Sequence, residues 1–339
     1  MCYSCIDVDT LSTAVASLCR QWHSYFVTMP LKELDADGMS AVGRDVLSLP
    51  QKSKNEEDSI FKSHFGTGAH MIALLWNMLL PLIDLNGALP KHLLWLLVFL
   101  KVYSTTAVHR GIVGWPDANT HRKWCWCFLE KIASLRDEVI KLEDRFVGWD
   151  FTASCLMSID GVDCMVNEPW SFDKKWFSEK FNGPGVKHEV GVCIKTGHIV
   201  WINGPFEAGS KNDSTVFIET LADLLLDDEG VEVDAGYKGH IKLKAPTVAT
   251  SRVARKQKSQ VRGRHENVNS RLKMFNVLNT PFRHTNPRDK MMQKHEWCFH
   301  AVAVITQLRF ANGEALLCGV NCDVNYDQNE LVSSSSNSK

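Results

Sequence analysis

The chain has 339 residues, 45% of them hydrophobic and 23% charged, with a formal net charge of −1. That length exceeds one average domain and can bury a sizeable core, so one large domain with a smaller one beside it is the natural division. A charge so near zero by itself predicts no polyanion partner, and any such partner must be sought in how the charges are distributed.

Residues 1–60 are poorly patterned and end in a linker, 51–58, of sequence Gln-Lys-Ser-Lys-Asn-Glu-Glu-Asp. Cys2 and Cys5 form a zinc half-site with no second half at finger-like spacing. Cys125/Cys127 and Cys318/Cys322 are the other close pairs, and the scatter of cysteines reads as reduced thiols inside a cell. The first residues carry Asp7 and Asp9 and no basic stretch, so no secretion signal is expected. Segment 71–85 is interrupted by Asn77 and Pro81, and the apolar run 93–100 is short. Both predict buried helices rather than membrane spans, and a soluble protein with no membrane partner.

Residues 61–150 read as helical. Two helices, at 91–103 and about 118–136, flank a turn containing Gly111, Gly114 and Pro116. The second begins with His121-Arg122-Lys123 and puts Trp124, Phe128, Ile132 and Leu135 on one face. This is compatible with helix-turn-helix docking in a DNA groove, and equally with two packed helices.

From residue 151 the pattern changes. Apolar runs 155–159 and 231–233 are strand-like and end in Asp160 and Asp234, each followed closely by glycine. Segments 187–194 and 198–203 predict a hairpin through Lys195-Thr196-Gly197. Phe217, Leu221, Leu224 and Leu225 mark an amphipathic helix leading to the strand before Asp234, and 244–249 suits a further strand. A later helix carries Arg262, Glu266, Asn269 and Lys273 at i, i+4, i+7 and i+11, away from Val261, Val268, Leu272 and Phe275. Strands alternating with helices after a hairpin predict an α/β fold, a mixed sheet flanked by helices. His295 and His300, beside Glu296 and Cys298, suit helix packing better than a ligand set. The serine-rich end, within residues 316–339, predicts a disordered tail.

Asp160, Asp234 and Glu266 are the candidate functional acids. Carboxylates suit Mg²⁺ or Mn²⁺, hard cations that prefer oxygen ligands. A pair of such ions activates an attacking water and stabilises the leaving oxygen of a phosphodiester. The plain alternative for any single Asp-Gly is a turn former. Between the second and third acids, Lys238, Lys242, Lys244, Arg252, Arg255, Lys256, Lys258, Arg262 and Arg264 occur with no Asp or Glu among them. Such a strip suits a phosphate backbone, with Arg252, Arg255, Lys256, Lys258, Arg262 and Arg264 as the candidate DNA contacts. A solvated loop or a nuclear-import signal is the alternative. The acidic stretch 207–234 reads as a solvated helix face.

Six motifs in order carry a resemblance over about residues 151–313. They are Asp160-Gly161-Val162-Asp163-Cys164 with Glu168-Pro169; Phe177-Ser178-Glu179-Lys180-Phe181 followed by Gly185-Val186-Lys187-His188-Glu189; the run from Gly197 to Phe206; Asp213; Asp234-Ala235-Gly236-Tyr237-Lys238-Gly239; and the run from Arg264 to Lys273. Together they resemble the DDE superfamily endonucleases related to PIF/Harbinger transposases. The resemblance implies an RNase H-like nuclease domain over 151–315, with Asp160, Asp234 and Glu266 as a catalytic, metal-binding triad for two Mg²⁺ or Mn²⁺ ions. It further implies DNA as substrate, a Myb-like DNA-binding protein as partner, the nucleus as location, with the cytoplasm also open, and assembly of several copies as an open question. Asp163 and Asp213 also match family positions, so the first acid is either Asp160 or Asp163. His188 departs from the pattern, where an aromatic Tyr is expected. A catalytically silent descendant that binds DNA or a partner is the alternative. No phosphate-cradling glycine loop and no His-Glu-x-x-His occurs, which leaves kinase and metalloprotease chemistry without support.

Overall fold

Helix α1 (Ala36–Val46) starts on Asp35, whose side chain accepts from Gly38 N, and α2 (Lys54–Phe65) starts on a capping box made by Ser53 and Glu56. The computed structural model describes residues 32–83, 87–148, 155–168, 171, 173–245, 252–283, 288–314 and 316. The Cys2/Cys5 and Cys318/Cys322 pairs, residues 246–249 of the last expected strand and the expected tail, 316 aside, lie outside these.

Helices α3 (Ala69–Leu79), α4 (Pro90–Val102), α5 (Thr106–Ile112), α6 (Ala118–Ser134) and the short α7 (Arg136–Val139) follow. Proline opens α4 where its missing N–H costs nothing, and every residue from His92 to Leu100 is buried. Burying each such Leu or Phe is worth roughly 1.5–3 kcal/mol, so this helix is the spine of the layer. Helix α6 packs on it by stacking Trp124 on His92, ring centroids 4.3 Å apart. No single helix among the described residues is long and apolar enough to cross a membrane.

That packing takes one residue of the basic start of α6 away from the surface. His121, at the basic start of α6, is 3% exposed and stacks on Trp95, so it reads nothing outside the protein. A third helix, α5, also separates the pair, and the two helices meet as packing partners.

The sheet comprises β1 (Cys155–Met165), β2 (Phe177–Ser178), β3 (Gly183–Cys193), β4 (Ile199–Glu207), β5 (Gly230–Glu232) and β6 (Leu243–Lys244). Spatial order is β4-β3-β1-β5-β6, with β2 extending the β4 edge against the first residues of β3. Pairs β1/β3 and β3/β4 are antiparallel, whereas β1/β5 and β5/β6 are parallel, so the sheet is mixed. The β3–β4 hairpin turns at Gly197, whose φ of +77° is the left-handed conformation that glycine adopts freely. Helix α8 (Asp213–Thr220) precedes β5, and α9 (Arg252–Lys273), α10 (Asn276–Asn279) and α11 (Arg288–Ala311) close the fold.

Alternation along β1 divides its side chains between two cores. Met157 and Ile159 pack with Phe217, Leu221 and Val231. Val162 and Cys164 join the large core shared by Leu93–Leu100, Val268, Leu272, Phe275 and Phe299. Helix α9 therefore lies on one face of the sheet and α8 on the other.

Residues 54–58 of the expected linker are helical, because Ser53 and Glu56 cap a helix there, and several expected elements differ in extent, β1 and α8 most instructively. β1 runs six residues past the expected end, so Asp160 is inside a strand and not at its tip. The antiparallel partner β3 continues beside it and keeps the ladder going. Helix α8 stops at Thr220 and a 3₁₀ turn takes Ala222–Leu224, which leaves Leu224 51% exposed. Four apolar residues at helical spacing do not make one helix when the last turn tightens.

Candidate functional site

Register places the first two acids side by side. Ser158 pairs with Glu232 in the parallel β1/β5 ladder, so Asp160 and Asp234, two residues further along each chain, project to the same face. Strand β5 ends at Glu232, which leaves β1 without a strand partner on that side from Asp160 to Cys164, among the described residues, until the Met165 carbonyl accepts from Phe282 N. Helix α9 roofs this gap. A shallow cleft of about 70 Å³ results, and Asp160, Asp234 and Glu266 all line it, with Ser158, Glu232, Lys258, Arg262 and His265 among the other walls.

The three acids stand in different environments. Asp160 is the best held: Oδ1 accepts from Gly161 N at 2.8 Å and Oδ2 from Asn269 Nδ2 at 3.1 Å. Burial raises its carboxyl to about 6; Lys180 and the Gly161 N–H oppose the shift, while Asp234 and Asp213 reinforce it. Asp234 is exposed, with Oδ1 accepting from Gly236 N at 2.8 Å, the local bond of an Asx turn. Glu266 sits on the rim and is 61% exposed, with Oε1 3.0 Å from Arg262 Nε. Among the described residues, no three His, Cys, Asp or Glu side chains are grouped closely enough to hold a metal ion as they stand.

Asp163 takes no part in this cleft. Three residues along β1 from Asp160, it faces the α8 side, where Ser178 Oγ donates to it and Lys180 Nζ lies 3.6 Å away. Asp213 is on that side too, ion-paired to Lys187 at 2.7 Å. Gly161 makes room for it: a Cβ there would meet Asp213 Oδ1 at 3.0 Å. Beside them Glu189 accepts from Trp201 Nε1 at 3.0 Å, and burial raises its carboxyl to about 7.

The basic strip separates into two kinds of residue. Arg252, Arg255 and Lys256 are exposed at the start of α9. Lys258 is not a surface contact: its ammonium is buried against Glu232, 2.7 and 2.8 Å from the two carboxylate oxygens. Arg264 bonds the carbonyls of Ile194 and Lys195 and so tethers α9 to the β3–β4 turn. Arg262 is exposed but spends its guanidinium on Glu266. A run of like charge in sequence thus winds around a helix, and the sheet takes the inward-facing members.

Four contacts were not anticipated, three in the cleft and one beside it. Ser158 Oγ lies 2.8 Å from His265 Nδ1; the others are the Glu232–Lys258 pair, the Asn269–Asp160 bond and the Lys180 approach to β1. A signal existed for the first three. Ser158 and Glu232 are the residues two before each aspartate, which is same-face spacing in a strand, and Lys258, Arg262, His265 and Asn269 repeat at i, i+4, i+7 and i+11.

The Glu232–Lys258 pair is expected to be structural. Lys258→Met should destabilise the protein by about 3 kcal/mol, because Glu232 loses the ammonium that neutralises it while remaining buried. Adding Glu232→Leu should restore most of that loss in a denaturant titration. Were Lys258 a DNA contact instead, the single change would leave the midpoint alone and weaken DNA binding.

Comparison of the chain with protein-family models, with curated proteins and with solved structures gives no match.

Proposed function

We propose that this protein is a divalent-metal-dependent DNA endonuclease of the transposase type, built on an RNase H-like sheet. The observation that carries the reading is one cleft lined by Asp160, Asp234 and Glu266, which come from β1, the turn after β5 and α9. Support for the fold comes from the strand order, three antiparallel strands followed by a helix and two strands parallel to the first, with an acid on a later helix.

The donors fit a hard cation. Asp160 and Asp234 are the residues that would hold it, and the repulsion that helps raise Asp160 is relieved by positive charge. When bound, Mg²⁺ or Mn²⁺ would supply activation of water and stabilisation of the leaving oxygen. The chain's own residues do the rest. Asn269 and the Gly161 N–H fix the Asp160 carboxylate, and the strand pairing fixes its level beside Asp234. Glu266 joins only when its pair with Arg262 opens, and an approaching phosphate is a natural competitor for that guanidinium. Arg252, Arg255 and Lys256 then offer the exposed charge for a DNA backbone running past the cleft.

A second reading has an observation of its own. Glu266 is held by Arg262, which suits a catalytically silent protein that binds DNA or a partner. Purified protein with Mg²⁺ or Mn²⁺ should nick supercoiled DNA. A clean negative, with candidate DNA ends and a Myb-like partner supplied, selects the silent protein. In either case reversing Arg252 and Lys256 to Glu should weaken binding to all sequences alike and flatten the slope of log affinity against log salt by about one unit per lost phosphate contact. An unchanged slope removes this surface from the interface.

A further inference from the structure

Lys180 follows β2 and reaches across the sheet to β1. Its Nζ donates to Gly161 O at 2.6 Å and lies 3.6 Å from Asp163 Oδ1. Ser178 Oγ, bonded to Asp163, anchors the segment that presents it. Gly161 adjoins Asp160 on the stretch of β1 that β5 leaves unpaired, and its carbonyl faces that open side, because the even-numbered residues of β1 spend their backbone groups on β3. The ammonium is therefore fixed by a main-chain bond to the residue next to Asp160. Its side chain is still 51% exposed, so one side of it remains open to solvent.

A cation in that position has a reason to exist. Asp160, Asp163, Asp213 and Asp234 all act on Lys180, and among charged groups Lys180 acts on Asp160 most strongly. Lys187 is already committed to Asp213, and Arg262 to Glu266. We propose that Lys180 is the resident counter-cation of Asp160, balancing it from the neighbouring face of β1 until a divalent cation arrives and then contacting a non-bridging oxygen of the substrate phosphate. A dication and an ammonium compete for the same carboxylates, so binding of the first weakens the hold on the second. Lysine suits this exchange because its charge is compact and its stem flexible. The inference rests on the metal-dependent reading above.

The test uses the full chain at pH 8, where Asp160 is ionised, with Mn²⁺ alone followed by calorimetry and duplex DNA binding followed as a function of salt. Lys180→Gln should bind Mn²⁺ about tenfold more tightly than the unaltered protein, because the competing charge is gone, and should lose about one unit of salt slope for DNA. Lys180→Arg should keep both values, since it keeps the charge. Equal Mn²⁺ affinity in the Gln variant and the unaltered protein overturns the proposal, as does an unchanged salt slope. A shift in the Arg variant as large as that in the Gln variant also overturns it, because the bond to Gly161 would then be the whole role. If the Gln variant does not fold in a thermal melt, the Arg variant decides. Failure of the unaltered protein to bind Mn²⁺ defeats the metal reading itself, whereas binding that ignores Lys180 defeats this inference alone.

Discussion

Lowering the pH from 7 toward 5 is expected to destabilise this protein by several kcal/mol. His92, His188, His265 and His295 are all buried, and burial holds each imidazole far below its usual range, His92, His265 and His295 at about 3. His188 stacks face to face on Phe299 at 3.8 Å and its Nε2 lies 3.0 Å from His295 Nδ1, so a proton on either ring meets a second ring and no counter-charge. In the unfolded chain these histidines take up about four protons as pH falls through 6.5, and in the folded chain none. The unfolded state binds more protons there, so stability falls with pH between about 6.5 and 3. Asp160 and Glu189 act in the opposite sense. Their folded values, about 6 and about 7, lie above the unfolded ones, so the folded state takes up about two protons over the same range. For these six groups the difference reaches about two protons near pH 5, or roughly 3 kcal/mol per pH unit there. Denaturant midpoints measured from pH 7.5 to 5 give the slope directly. His295→Gln should flatten it by about 1.4 kcal/mol per unit. A slope near zero would mean that the histidines are not sequestered as described.

Asp160→Asn is expected to abolish metal-dependent cleavage while making the fold more stable. The charge lost is one that burial and two neighbouring carboxylates already disfavour, so at pH 8 the variant should gain about 2 kcal/mol. The new amide still accepts from the Gly161 N–H. It can also pair with Asn269, whose buried Oδ1 has no hydrogen-bond partner among the described residues, once that side chain turns over. The sign with pH follows from the raised carboxyl: the gain is full above about 6 and vanishes below the ordinary aspartate range, where both proteins are neutral at this position. Melts at pH 8 and pH 4 beside a nicking assay check both halves. Retained cleavage would take Asp160 out of the site, and Asp163→Asn losing cleavage instead would move the first ligand to the opposite face of β1. A variant less stable at pH 8 would show that Asp160 serves the fold.

Much of the fold was legible because it rests on local periodicity. The β3–β4 hairpin follows from alternation around a Lys-Thr-Gly turn, and α9 from the spacing of Val261, Val268 and Leu272, all buried against the core. Asp160 and Asp234 could be named in advance as candidates, since aspartates beside glycine after apolar runs stand out in any chain, and Glu266 from its place on the outward face of a helical pattern. What the sequence did not reveal was which side chains face one another. Asp160 and Asp163 are both acids of one strand, and only the sheet assigns them to opposite faces, one roofed by α9 and the other by α8. Lys258 and Arg255 are both basic residues of one helix, yet Glu232 draws the first into a buried pair while the second is exposed. Burial and pairing depend on what packs across from a residue, often a hundred positions away, as with Ser158 and His265. Local pattern determines that elements form and which stripe is apolar; the docking of α9 over the gap where β5 ends decides which of its charges belong to the cleft.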